Sequence, residues 1–148
     1  MAVQVKVVGV DSFLRDLNKY FKEVEKNTTE EMVQWSVRTK SAAQRDVRKD
    51  TLALHNTIRS EITNNGLTVE VKAGGINDVN YAPYIEFGTG VGVDQTFLQE
   101  YGLTKYASDF KGNQPPFYPI PAKSFLFRNG REEFYKSVKN IIKLLQQT

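Results

Sequence analysis

Few residues in this chain have the types and spacing that chemistry needs, and the strongest set is Glu70-Val71-Lys72. A Glu-x-Lys on a strand, with an acidic residue upstream, is how metal-dependent nucleases hold Mg²⁺ and steady the attacking water. Asp50 or Glu61 would supply the second carboxylate. The same tripeptide has a plainer reading. Leu67, Val69 and Val71 alternate as the core side of a strand, which turns Glu70 and Lys72 outward, where alternating Glu and Lys is ordinary on a hairpin. His55 is the single histidine, and with no cysteine beside it a zinc set cannot be written. A Ser60, His55, Asp50 triad lacks a nucleophile elbow, so His55 reads as a turn residue. Gly88-Thr89-Gly90-Val91-Gly92 has neither the lysine nor the preceding strand of a phosphate-binding loop. The expectation is a protein without metal, cofactor or catalytic site.

Two charge features remain. Arg38, Arg45 and Lys49 fall on one side of a helix, where they would form a basic stripe. Such a stripe lines a DNA passage, or simply faces water or the acids of a neighbouring subunit. Glu86 stands among apolar residues near the negative end of a short helix, where a carboxylate is disfavoured. It calls for an arginine, or for backbone N–H groups from the glycine loop after it. That is a structural pin rather than half of an acid–base pair.

The elements that would position these residues follow from periodicity. Val3, Val5 and Val7 alternate with polar residues as a strand ending at Gly9. Asp11 or Ser12 caps a helix with the stripe Phe13, Leu14, Leu17, Phe21 and Val24, closed by Asn27. Thr28 with Glu31 makes a capping box for a second helix to about Lys49, burying Met32, Trp35, Ala42, Ala43 and Val47. Ile58, Ser60, Ile62 and Leu67, Val69, Val71 form a hairpin about Asn65-Gly66, the favoured pair for a two-residue type I′ turn. Asn80 caps a very short helix, Pro83 fits its first turn and Gly88 stops it. A helix within Gln95–Ser108 is weakened by Gly102, and Phe134, Val138, Ile141, Ile142 and Leu145 give a final amphipathic helix. The whole reads as one α+β domain over 1–148. Its small, mainly antiparallel sheet packs against two long N-terminal helices and a C-terminal helix.

The stretch Tyr81-Ala-Pro-Tyr-Ile-Glu-Phe-Gly-Thr89, followed by Phe125-Leu126 opening a helix, resembles the head–tail joining (neck, or tail-completion) family of tailed double-stranded DNA bacteriophages. Tyr81, Ala82, Tyr84, Glu86, Phe87, Gly88 and Thr89 match the first block, and Phe125 and Leu126 the second. Asp50, Thr51 and Leu54 fit a turn that the family carries, although Leu52 replaces its glycine and its proline is absent; before Phe125, Ser124 stands where the family usually has proline. The resemblance implies a structural virion protein at the neck, made in the host cytoplasm. Its expected partners are its own copies in a ring, a portal- or adaptor-type connector, and a tail-tube or terminator protein. A tail terminator, the metal nuclease and a small DNA-binding module are the alternatives.

The totals agree with a globular domain: 148 residues, 40% hydrophobic, 25% charged, net charge +3 and no cysteine. No apolar run is long enough for a membrane span, and the N-terminal residues lack the form of an export signal. Residues 88–122 carry most of the prolines and many aromatics, the composition of an assembly arm. Within and beside it, Tyr81, Tyr84, Glu86, Phe87, Phe97 and Tyr101 are the expected interface residues, with Tyr106, Phe110, Phe117, Tyr118 and Phe125. Scattered aromatics on so small a domain would hardly offset the entropy of ordering this arm in a single subunit.

Overall fold

The computed structural model describes residues 9–47, 52–76, 79–88, 92–105 and 121–147. The expected strand at Val3–Val7, together with Lys49, Asp50, Thr51, Tyr106, Phe110, Phe117 and Tyr118, lies outside the described residues. The architecture is mixed α+β. One helix, α1, runs from Val10 to Asp46, and a short α2 (Leu52–Thr57) leads into a two-stranded antiparallel hairpin of β1 (Arg59–Thr63) and β2 (Thr68–Lys72). Short helices α3 (Ala82–Phe87) and α4 (Gln95–Glu100) follow, and α5 (Phe127–Gln147) packs along α1.

The first correction concerns α1, which is 37 residues long and unbroken where two helices were expected. Asn27, Thr28 and Thr29 are mediocre helix formers, but each costs only about 0.5–0.7 kcal/mol relative to alanine. All three are half-buried, and the Thr29 methyl meets the hairpin turn at Gly66. That packing outweighs a local stop signal. The consequence is large at the other end: Phe13, Leu14 and Phe21, read as one apolar stripe, are 64%, 48% and 57% exposed.

The hairpin register is the expected one. Thr63 pairs with Thr68 and Ile62 with Val69, centred on Asn65-Gly66. The Leu67 N–H closes on the Asn64 carbonyl at 3.0 Å, with Asn65 and Gly66 at φ 54° and 88°. The turn differs from a plain type I′ in that Asn64 is also left-handed, at φ 53°. Ile62 and Leu67, at the tip, are exposed rather than core.

The main core gathers Ala43 of α1, Val47 at its C-cap, Leu54 of α2, Ile58, Val79, Ala82 of α3, and Phe125. The α2 helix was not expected as a helix; it buries Leu54, and its Thr57 hydroxyl accepts the Gly74 N–H at 2.9 Å. The seam between α1 and α5 is polar instead. Trp35 Nε1 donates to the Gly130 carbonyl at 2.9 Å, Arg38 reaches Glu133, Asn140 reaches Glu31, and Asn129 reaches Asp46. The Glu31–Asn140, Arg38–Glu133 and Asp46–Asn129 pairings run in opposite directions along the two helices, so α1 and α5 are antiparallel. The apolar stripe of α5 therefore turns away from α1, leaving Phe134, Ile142 and Leu145 exposed.

Candidate functional site

On the hairpin's outer face Glu61 stands directly opposite Glu70, a repulsive pairing unless a cation lies between them. Lys72 is that cation. Its Nζ bonds Glu61 Oε2, and Glu70 Oε2 at 2.8 Å. Arg59 adds a bond to Glu61 Oε1 at 2.9 Å. Hydrogen bonds from Lys72 and then Arg59 hold the Glu61 carboxyl below its usual range, and Glu61 and Glu70 raise Lys72. This is a neutralised cross-strand ladder, and among the described residues no group of three His, Cys, Asp or Glu side chains converges as metal ligands. His55 contacts only its neighbour's Asn56 Oδ1 among the hydrogen bonds its ring makes, at 3.1 Å.

The basic stripe is not a free face. The Arg38 guanidinium is joined to Glu31 Oε1 at 2.6 Å, Glu133 Oε2 at 3.0 Å and Ser137 Oγ at 2.6 Å. It is held in the α1–α5 seam by acids of its own subunit, with about a third of its side chain, 33%, left exposed. Arg45 remains exposed, paired with Asp46 at 3.1 Å.

Glu86 is the centre of the most connected site. It is 3% exposed, and its two oxygens accept four hydrogen bonds. Oε1 takes Ser124 Oγ at 2.8 Å and the Phe127 N–H at 3.0 Å. Oε2 takes the Phe125 and Leu126 N–H groups at 3.0 and 2.9 Å. The donors come from the entry to α5, 38 to 41 residues away, and not from the glycine loop next door. A helix start leaves N–H groups without intrahelical partners and carries partial positive charge, so one carboxylate there answers both needs. Burial pushes the Glu86 carboxyl up, while the three backbone donors and Ser124 pull it down; burial prevails.

Glu86 is placed by α3. Tyr81 rather than Asn80 is its N-cap, with no side-chain cap bond, and Pro83 lies in the first turn. Gly88 ends it at φ 76°, ψ 177°, an extended positive-φ conformation that is essentially glycine's own. A Cβ on Gly88 would lie 2.3 Å from the Gly92 carbonyl oxygen and 2.7 Å from the Ala122 nitrogen. Those atoms form the 2.8 Å bond that closes the base of the 88–122 excursion, next to the Lys123 N–H bond to the Ile85 carbonyl at 2.8 Å. Gly88→Ala is expected to cost about 2 kcal/mol, seen as a Tm lower by roughly 4–8 °C. An unchanged Tm would remove this account of the stem.

The first half of the arm packs on its own subunit, contrary to expectation. Asp94 caps α4 through the Phe97 N–H at 2.9 Å. Gly102 ends it at φ 66°, with the Leu103 N–H on the Leu98 carbonyl and the Gly102 N–H on Gln99, a Schellman closure. Phe97 and Leu98 then join Phe87 in a second small core, with Val93, Tyr101 and Leu103 around it. Of the expected interface residues, Phe87, Phe97, Phe125 and Glu86 are therefore buried within the chain, and Tyr81, Tyr84 and Tyr101 are half-buried. Sequence reading missed Arg131, which stacks 4.6 Å over the Tyr101 ring and bonds Glu100 at 2.8 Å, tying α4 to α5. Its spacing of four from Tyr135, to which it also bonds, was the available signal.

A groove of about 500 Å³ opens beside this contact, lined by Trp35, Val71, Tyr101, Leu126 and Phe134. Thr39 also lines it, and its hydroxyl is buried without a hydrogen-bond partner among the described residues. No family model, curated protein or solved structure compared with the chain matches it.

Proposed function

We propose that the chain is a structural subunit of the neck of a tailed phage particle, joining head to tail as part of an oligomeric ring. One observation carries the reading beyond the sequence resemblance. The two blocks that bear that resemblance, Tyr81–Gly88 and the segment from Ser124, meet as one unit through the four bonds to Glu86. They are thus parts of a single rigid junction from which a long excursion leaves and to which it returns. The Lys72 ladder favours a structural role for Glu61 and Glu70 over metal-dependent cleavage of DNA. Among the described residues no helix is long and apolar enough to cross a membrane. The proposed partners are further copies of the chain, a portal- or adaptor-type ring above and a tail-tube protein below.

Negative-stain imaging of the purified protein should show closed rings of one diameter, and addition of the protein to separated heads and tails should yield joined particles. Binding to free tails alone would make it a tail terminator. Failure to form rings together with failure to join particles would overturn the reading.

A further inference from the structure

The α1 helix outruns its partner. The Arg38–Glu133 and Glu31–Asn140 bonds fix the antiparallel alignment, which places the last turn of α5, at Gln147, opposite about residue 24 of α1. Some fourteen residues of α1, roughly 20 Å, therefore project past the end of α5. That projection carries Phe13, Leu14, Leu17, Phe21 and Val24 on the same side that meets α5 further along. The outward face of α5 is a second exposed stripe, with Phe134, Tyr135, Ile142 and Leu145 each 40% exposed or more. From Phe134 to Leu145 it is roughly 17 Å long, close to the length of the projection.

We propose that the projecting half of α1 docks on the outward face of α5 of a second copy of this chain. The charges around the two stripes select this pairing. Asp11 and Asp16 of the projection, and Glu25 just beyond it, flank the α1 stripe at roughly 70–110° from its centre, while Glu23 and the three basic residues of the projection, Arg15, Lys19 and Lys22, lie further behind. On α5 every charged residue from Phe134 onward is a lysine. Of these lysines Lys139 borders the stripe, at roughly 90° from its centre, while Lys143 and Lys136 lie further behind; docking α1 on α5 sets an acidic flank beside Lys139, whereas pairing two α1 projections would set acid against acid. The exposed parts of these side chains amount to roughly 800–1,000 Å² per contact, most of the ~1,200 Å² that the smaller specific interfaces bury. The flanking charged residues supply the remainder.

Two different surfaces meet in this contact, so it is heterologous, and it closes as a ring or runs on as a filament. The inference deepens the ring reading above by naming the surfaces that would build it, yet its test does not depend on a phage.

The experiment uses the full chain and two double variants, F13E/F21E and I142E/L145E, all at exposed positions, with mass measured by sedimentation velocity and folding by circular dichroism. The wild type is expected above the mass of one chain, and each variant at one chain. An equimolar mixture of the variants should give a one-to-one pair, because each keeps the surface the other has lost. If a glutamate variant fails to fold, the serine versions replace it. A single-chain wild type, an I142E/L145E variant that stays dimeric through α1 alone, or a mixture that stays single-chain would each overturn the proposal. A chain that assembles in this way but joins no heads to tails would overturn the neck reading and leave this one standing.

Discussion

Glu86→Ala is expected to lower the stability of the domain by about 4–5 kcal/mol, the largest effect of any single truncation considered. The estimate follows from what the side chain satisfies. Three backbone N–H groups and one hydroxyl point at its oxygens, and Glu86 itself is 3% exposed. Each donor left without an acceptor costs about 1–3 kcal/mol, and relaxation or entering water recovers part of the total. Domains of this kind have only about 5–15 kcal/mol in hand, so the variant should be close to unfolding at ambient temperature. Glu86→Gln keeps the volume and one good acceptor, but its amide NH₂ must face a donor, so about half of the loss should remain. Urea unfolding of the three proteins measures the series. A Glu86→Ala midpoint within error of wild type would show that α5 starts equally well without the carboxylate.

The second large effect is at Arg38. Arg38→Ala leaves Glu31 and Glu133, with side chains only 13% and 11% exposed, across a seam with no guanidinium between them. Breaking a buried charge pair typically costs about 3–5 kcal/mol, and because Arg38 is itself about a third exposed the lower end, ~3 kcal/mol, is expected at neutral pH. The loss should depend on pH in a defined sense. Burial pushes the Glu31 carboxyl up, but Arg38, Ser137 and Asn140 more than offset it; at Glu133, Lys136 and Arg38 do the same. Both are thereby held below the ordinary carboxylate range. A depressed folded pKa contributes stability above the unfolded pKa, and that contribution is lost as pH falls through the folded value. Without Arg38 the two carboxyls bind protons more readily, so the gap between wild type and variant should narrow on acidification. A gap that stays constant from neutral pH to pH ~4 would mean that Arg38 acts through packing rather than charge.

How far the sequence revealed this depends on how local each cause is. The hairpin was legible because Asn65-Gly66 is itself the physical reason for the turn. The break at Asn27–Thr28 was misread because a capping box is a local option, and the hairpin contact that overrides it comes from Gly66. The need of Glu86 for donors was visible in its surroundings, but Phe125, Leu126 and Phe127 as those donors were not, since nothing in periodicity links positions 40 apart. The stripes of α1 and α5 were legible as amphipathic, but what covers them was not: Phe13, Leu14, Phe21, Phe134, Ile142 and Leu145 are exposed. A hydrophobic stripe reports that something should cover it, and says nothing of whether that is the same subunit. The partners of Arg38 were out of reach for a related reason: the two helices meet through a charged line, and nothing local says which acids lie across it.

That charged line has a consequence in time. Arg38 and Glu133 are 95 positions apart. At synthesis rates of about 5–20 residues per second, α1 waits roughly 5–20 seconds before its partner helix exists. A helix whose contact side were leucine would spend those seconds as an adhesive surface. One whose contact side carries Glu31, Arg38 and Asp46, with Trp35 as its one large apolar group, stays largely hydrated over that half while it waits. Once α5 arrives, the same groups read its register through directional bonds, so the nascent chain gains protection first and alignment afterwards.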